Sequence, residues 1–303
     1  MVRGMYVDHE SEANHHILAH ESERLRKEGH RDLLITCHRV EKYGESIDVL
    51  PLQDKNLRGT EVSGTRAVFE RLANIAAGTK SQIIGEWPIF EQVRGYFAEP
   101  AQSGRVSDLG QEALKAAQTA RSGVDFYSPD HATIALNSIR QDAKAKLLLV
   151  FGAGMVGINL ARTHSALGFE EMVLVTRNKK KARRSLKDLS GCKVLSLEEV
   201  HQLGLRRKCN VVVASTNLSS YSESISSLVS ELNCESVIDV CGESLFSDAD
   251  GHITLEGPAM MDLIRQYNLK MEEKKHTVES RIRTLGAQTG ENLEAKWQNR
   301  IHS

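Results

Sequence analysis

The stretch Leu147-Leu148-Leu149-Val150-Phe151-Gly152-Ala153-Gly154-Met155-Val156-Gly157 constrains the chain more than any other. Five consecutive apolar residues predict a strand buried on both faces. They run into a G-x-G-x-x-G turn, and the residues after it (Ile158, Leu160, Ala161, Ala166, Leu167) place apolar side chains at helical spacing. A glycine turn between a buried strand and a helix start predicts a dinucleotide-binding unit. Gly152 permits the tight turn, Gly154 lets the backbone approach a pyrophosphate, and Gly157 brings helix and strand together. Met155 and Val156 open the helix, whose free N–H groups and positive dipole end receive phosphates. The alternative is a glycine turn in an α/β domain that binds nothing.

The next predicted strand, Met172-Val173-Leu174-Val175, sharpens the choice of cofactor. An acid at its end would accept the ribose hydroxyls of NAD, whereas an arginine accommodates the extra phosphate of NADP. The strand ends in Thr176-Arg177-Asn178 with no acid. NADPH is therefore the expected cofactor.

With 303 residues the chain is long enough for two domains, each with its own core. No apolar run approaches the roughly 20 residues of a membrane span, and the N-terminus lacks a signal-peptide core. A formal net charge of −1 argues against a generally basic nucleic-acid binder but leaves room for one local basic face. The five cysteines (Cys37, Cys192, Cys209, Cys234, Cys241) are scattered and lack metal-ligand spacing. No metal site and no disulfide framework are expected, which suits reduced thiols in a cytoplasmic protein.

In the N-terminal part, Ile17 to Lys27 predicts an amphipathic helix, and Asp32 to Thr36 a short strand delivering Cys37-His38-Arg39 to its end. A thiol beside a histidine and an arginine has its thiolate stabilised, as a nucleophile requires. Val68 to Ala77 predicts a helix closed by Gly78, and a further helix is expected to start near Pro88. Between and within them stand the polar residues Ser81, Glu86 and Gln92.

These residues carry a resemblance. "ITCHRVEKYG" (35–44) and "LANIAAGTKSQIIGEWPIFEQVRGYF" (72–97) are similar to the two signature blocks of the glutamyl-tRNA reductase family, S-T-C-N-R-x-E and A-x-G-L-D-S-x-x-x-G-E-x-x-I-x-x-Q-V-K. "DHESEAN" (8–14) resembles its N-H-x-x-A-P block, with His9 on the histidine. "FYSPDHATIALNSI" (126–139) stands where the family has a helix leading into its nucleotide domain, and "VLVTRN" resembles its strand end. "NVVVASTN" (210–217) and "SVIDVCG" (236–242) take the places of two later strands, and the likeness covers roughly residues 8–275.

The resemblance implies an α/β chain. Residues 1–120 would form an N-terminal α+β catalytic domain, 121–258 a Rossmann-type NADP-binding domain, and 259–303 a helical segment matching part of the family's spinal helix. It implies that Cys37 attacks the ester of an aminoacyl-tRNA, glutamyl-tRNA by default. The thioester would then be reduced by NADPH to an α-amino aldehyde across a cleft between the two domains. Thr36, Arg39, Ser81, Glu86 and Gln92 would bind substrate, Arg39 holding a carboxylate or the developing negative charge and Glu86 the α-ammonium. Ser215 and Thr216 would join Gly152, Gly154, Met155, Val156, Gly157, Thr176, Arg177 and Asn178 around the cofactor. No membrane and no metal are implied.

The chain departs from the pattern in three places. Arg71 stands where the family has a histidine, so His38 is the candidate acid/base group. Asp239-Val240-Cys241-Gly242-Glu243-Ser244 lacks the proline and arginine of the family's D-I-A-x-P-R. Met260 to about Thr284 predicts only the start of the spine, with at most one short helix after it. A truncated paralogue is therefore expected, with a protein partner or a different dimer in place of the family's. Arg24, Arg26, Lys27, Arg31 and the run Lys179 to Arg184 are the basic groups available to a tRNA backbone. Two other readings stay open: acyl transfer from Cys37 without reduction, and a nucleotide-binding paralogue without catalysis.

Overall fold

A computed structural model of the chain describes residues 2–9, 15–36, 39–47, 49–86, 88–99, 102, 104–126, 129–139, 145–187, 189–203, 207–214, 221–241, 244–246 and 252–301. Cys37, His38, Ser215 and Thr216 lie outside the described residues. The chain divides into two compact units, Met1–Pro129 together with Asn268–Ser303, and Asp130–Tyr267.

The first unit is an antiparallel sheet with helices. Its strands are β1 (Arg3–Asp8), β2 (Leu34–Thr36), β3 (Arg39–Gly44) and β4 (Thr60–Ser63), in the order β2-β3-β1-β4. α1 (His15–Lys27) contributes Leu18 and Leu25 to a core shared with Val7 of β1 and Val40 of β3. α2 (Thr65–Ala76), α3 (Pro88–Ala98) and α4 (Gly104–Arg121) follow. α2 buries Val68, Phe69, Leu72, Ile75 and Ala76, which is one helical stripe. α3 begins at Pro88, where a missing N–H costs nothing.

The second unit is a parallel sheet built on the stretch that opened the sequence reading. α5 (His131–Ser138) leads to β5 (Leu147–Phe151), every residue of which is buried. Then come α6 (Met155–Thr163), β6 (Glu171–Val175), α7 (Lys179–Ser185), β7 (Cys192–Leu195), α8 (Leu197–Leu203), β8 (Cys209–Val213), α9 (Ser222–Glu231), β9 (Cys234–Asp239) and β10 (His252–Thr254). The order β10-β9-β8-β5-β6-β7, with every pair parallel, is the doubly wound dinucleotide-binding arrangement. The order reverses between β5 and β8, and that switch point is where such sheets take their ligand. Phe151, Val175, Val213 and Asp239 are register partners in turn, so the segments that follow these four strands leave from one edge.

The last helix, α10 (Pro258–Ile301), is longer than the sequence pattern predicts: it runs unbroken for 44 residues, about 66 Å at the α-helical rise. Met271, Val278, Ile282, Gly286, Gly290, Leu293 and Trp297 are all buried, a seam with near-helical period. Two glycines hide that seam from a hydropathy reading. They are tolerated because α10 lies close to α2: a Cβ at Gly286 would stand 2.8 Å from Glu70 Cγ, and one at Gly290 3.4 Å from Arg66 Cβ. Past them, Lys296, Trp297 and Arg300 converge on Asp108 of α4, with Trp297 Nε1 donating to its carboxylate at 3.1 Å. Replacing Trp297 by Ala removes a buried indole and a hydrogen bond. It should lower stability by about 3 kcal/mol, read from the denaturant midpoint.

Candidate active site

At the nucleotide end, the three glycines are required for three separate reasons. Gly152 sits at φ 114°, in the left-handed region, and its N–H donates to Val175 O at 2.9 Å, tying the turn to β6. Gly154 caps α6 without any side-chain hydrogen bond, and among the described residues beyond its chain neighbours no atom lies within 4 Å of where its Cβ would be. An anion can therefore approach the backbone there. A Cβ at Gly157 would stand 1.9 Å from Gly152 O, so only glycine lets α6 start this close to β5. Met155 is half exposed beside Gly154.

The end of β6 lies alongside. Thr176 accepts from Asn178 N at 3.3 Å, Asn178 caps α7 by accepting from Lys181 N, and the exposed Arg177 guanidinium stands 5.6 Å from the Tyr221 ring. No carboxylate belongs to this turn. An open, uncapped helix start next to an arginine and no acid fits a nicotinamide dinucleotide carrying an extra phosphate. At the end of β9, Asp239 is buried and accepts from Cys241 N, Ser244 Oγ and Leu245 N. It organises its own loop in the segment where the family's proline and arginine are missing. Cys209 and Cys234 face each other with Sγ atoms 4.0 Å apart at the opposite ends of β8 and β9, away from the turn.

In the first unit, Thr36 closes β2 and pairs in register with Arg39, the first residue of β3. Arg39 thus belongs to a strand and is buried, rather than standing in a loop beyond one. Its Nη2 donates to Lys80 O; its Nε lies 3.1 Å from Glu41 Oε1, out of line for a hydrogen bond; its Nη1 has no acceptor among the described residues. Glu41 is fully buried and takes Arg71 at 2.7 Å and the hydroxyl of Tyr43. Arg71 also donates to Asp8 at 2.7 Å and lies over the Tyr6 ring. Two guanidiniums and two carboxylates therefore balance inside one buried cluster.

Burial works against the Arg71 charge, but Glu41, Tyr43 and Asp8 together outweigh it and hold the pKa above the ordinary arginine value. Burial, and then the same carboxylate, push the Tyr43 phenol well above its usual range. Arg71 is therefore a permanent cation fastened at both ends and unable to exchange a proton. The signal for this cluster was absent from the local sequence, because its members are brought together from residues 8, 39–43 and 71.

The turn after α2 carries Ser81 and Glu86 and is fixed from several sides. Gly78 and Gly85 have φ near 80°, and Gly85 N donates to Gly78 O at 3.0 Å. Arg121 donates to Ala77 O and Gly85 O, and the Asn268 side chain bridges Ile84 N and Gln82 O. Arg121 and Asn268 were not anticipated as supports of this turn. The Arg39–Lys80 contact brings the turn to the end of β2. Gln92 lies elsewhere, in a groove of about 400 Å³ beside β2 with Tyr96 and Glu99. Of the basic groups considered for RNA, Arg24 is engaged by Glu21, Glu28 and Pro51 O. It has no donor to offer a phosphate. Among the described residues there is no cluster suited to a metal and no helix long and apolar enough to cross a membrane.

A family model described as NADP oxidoreductase, coenzyme F420-dependent, matches residues 146–242. The chain is 28% identical over 271 residues to protein nfe2 of Rhizobium meliloti, covering 84% of this chain and 86% of that protein. It is 28% identical to the glutamyl-tRNA reductase of Methanothermobacter marburgensis, over 52% of this chain and 42% of the relative. The Methanosarcina barkeri glutamyl-tRNA reductase is 26% identical over 62% of this chain and 45% of the relative. The matches thus span less than half the length of these two reductases. In fold, the chain resembles the solved glutamyl-tRNA reductase from Methanopyrus kandleri, with TM-score 0.52, 17% identity, and coverage of 99% of this chain and 82% of that one. Fold and site together define an α/β protein with a Rossmann-type nucleotide-binding domain of the NADP-oxidoreductase kind. Part of the chain is similar in sequence to glutamyl-tRNA reductases, and its fold resembles that of a solved one.

Two sets of variants test this geometry. Gly157→Ala should lower stability by about 1–3 kcal/mol, since backbone rather than side chain blocks the Cβ. Gly154→Ala should fold normally yet lose at least tenfold in NADPH affinity, measured by nucleotide fluorescence. Glu41→Gln strands buried guanidinium charge and should cost about 3–5 kcal/mol in denaturant unfolding. Glu45→Gln breaks only the exposed pair with Arg105 and should change stability by less than about 1 kcal/mol.

Proposed function

We propose that this chain is an NADPH-dependent reductase of aminoacyl-tRNA, glutamyl-tRNA by default, working through a thioester on Cys37. The observation that carries the reading is Arg39: a buried guanidinium whose Nη1 lacks an acceptor among the described residues, two residues beyond the thiol in the chain. A buried donor left unpaired is costly in a resting protein. A carboxylate on the incoming acyl group would satisfy it with a charge-assisted bond.

The Cys37 thiolate attacks the ester carbonyl. The carbon–oxygen bond to the terminal ribose breaks, a carbon–sulfur bond takes its place, and the RNA leaves with its hydroxyl reprotonated. His38 is the acid/base group for that proton, because Arg71 cannot supply one. Thr36 and Ser81 line the acyl site with Arg39, and Glu86 takes the α-ammonium. Gly152, Gly154, Met155, Val156, Gly157, Thr176, Arg177, Asn178, Ser215 and Thr216 hold NADPH. When bound, NADPH supplies the hydride that takes a thioester to an α-amino aldehyde. The catalytic chemistry belongs to residues 1–120 and cofactor binding to residues 121–258, in the cytoplasm. The fastening of Arg71 to Asp8 and Glu41 favours one second reading, in which Cys37 passes the acyl group to an amine or thiol without reduction.

Incubation with labelled glutamyl-tRNA should give an acyl group on Cys37 by mass spectrometry, and added NADPH should release aldehyde. Cys37→Ser should show neither. Acyl-enzyme without aldehyde selects the second reading, and no acyl-enzyme in the unsubstituted chain overturns both.

A further inference from the structure

Residues 177–187, Arg-Asn-Lys-Lys-Lys-Ala-Arg-Arg-Ser-Leu-Lys, hold seven cations and no acid in a chain whose net charge is −1. Five of them, Lys179, Lys180, Arg183, Arg184 and Lys187, line an open concavity of about 730 Å³ on α7 and the turn after it. Ala182 and Leu186, the apolar residues of the segment, are buried. Every residue lining the concavity is therefore cationic.

Two of the five lining cations have protein partners. Lys179 pairs with Glu199 at 2.7 Å, and Arg183 donates to Val194 O at 3.3 Å. Lys180, Arg184 and Lys187 have no carboxylate within ion-pair distance among the described residues. Lys180 and Arg184 are one turn apart on α7, and Lys187 follows in the turn after it. Like charges held this close repel one another, and no carboxylate among the described residues pairs with these three. Bound anions would.

We infer that the α7 face is a docking surface for an RNA phosphodiester backbone. A single extra phosphate on a dinucleotide needs one or two cations, and Arg177 at the end of β6 already stands beside the glycine turn. A row of unpaired cations instead matches a ligand that repeats its negative charge. Anionic membrane would call for apolar side chains beside the cations, and these are buried. A protein partner would call for an aromatic or aliphatic anchor within the patch, and there is none among its lining residues. The choice of RNA over other polyanions rests on the proposed function, since the acyl carrier in that reading is an RNA.

The test uses the full chain and fluorescently labelled, uncharged tRNA, titrated by anisotropy between 50 and 200 mM KCl. Affinity should fall steeply with salt. Lys180→Ala/Arg184→Ala/Lys187→Ala should weaken binding at least tenfold at the lower salt and flatten the slope of log K against log salt by about 2–3. Lys180→Arg/Lys187→Arg should bind like the unsubstituted chain, and NADPH affinity should be unchanged in both variants. Equal tRNA binding by the triple alanine variant overturns the inference. So does a triple variant that loses NADPH affinity but keeps tRNA, which would give the face to the cofactor. Acylation of Cys37 by a small glutamyl thioester is measured in parallel. Acylation with no effect of the α7 changes on tRNA overturns this face alone, whereas α7-dependent tRNA binding without any acylation overturns the proposed chemistry and leaves the face standing.

Discussion

A buried charge must be matched by another charge, and the N-terminal unit is arranged around that requirement. Glu41 sits in the middle of β3 with no exposure to solvent, and the sheet can hold it only because Arg71 arrives from α2 and Arg39 from the same strand. Asp8, from β1, balances the second guanidinium. The cluster joins the first strand, the third strand and the second helix of the unit. Removing one partner from such a set typically costs more than the set contributes over an apolar core. Its value is geometric: it fixes Arg39, and through Lys80 O it fixes the turn that bears Ser81.

The second unit rests on a steric constraint instead. Gly157 and Gly152 let α6 begin almost on top of β5, and Gly154 leaves the helix start bare. The two units thus present complementary chemistries. One holds a buried guanidinium with an Nη1 that has no acceptor among the described residues; the other holds a helix start with no side-chain cap at a sheet switch point.

Much of this was legible because it is local. The glycine turn, β5, the start of α3 at Pro88 and the close of α2 at Gly78 all follow from residues within a few positions of one another. The long-range features were not. Arg71 reads as the simple loss of a histidine until Asp8 and Glu41, 63 and 30 residues away, are seen to hold it. Arg24 reads as an exposed basic group until its acidic neighbours and Pro51 O are placed around it. The second half of α10 is hidden by Gly286 and Gly290, which look like helix breakers and instead serve close packing on α2. The reductase-like reading itself came from spaced blocks, and the comparisons support it at the level of fold and class.

The proposal on which the rest depends is that the Arg39 Nη1, which has no acceptor among the described residues, receives a substrate carboxylate. Calorimetric binding of a non-hydrolysable glutamyl-adenosine amide, set against its glutaminyl counterpart, tests it directly, because the two ligands differ only in that group. The account predicts at least tenfold tighter binding of the carboxylate ligand, with the preference gone in Arg39→Gln. Equal affinity for the two ligands in the unsubstituted protein would contradict it.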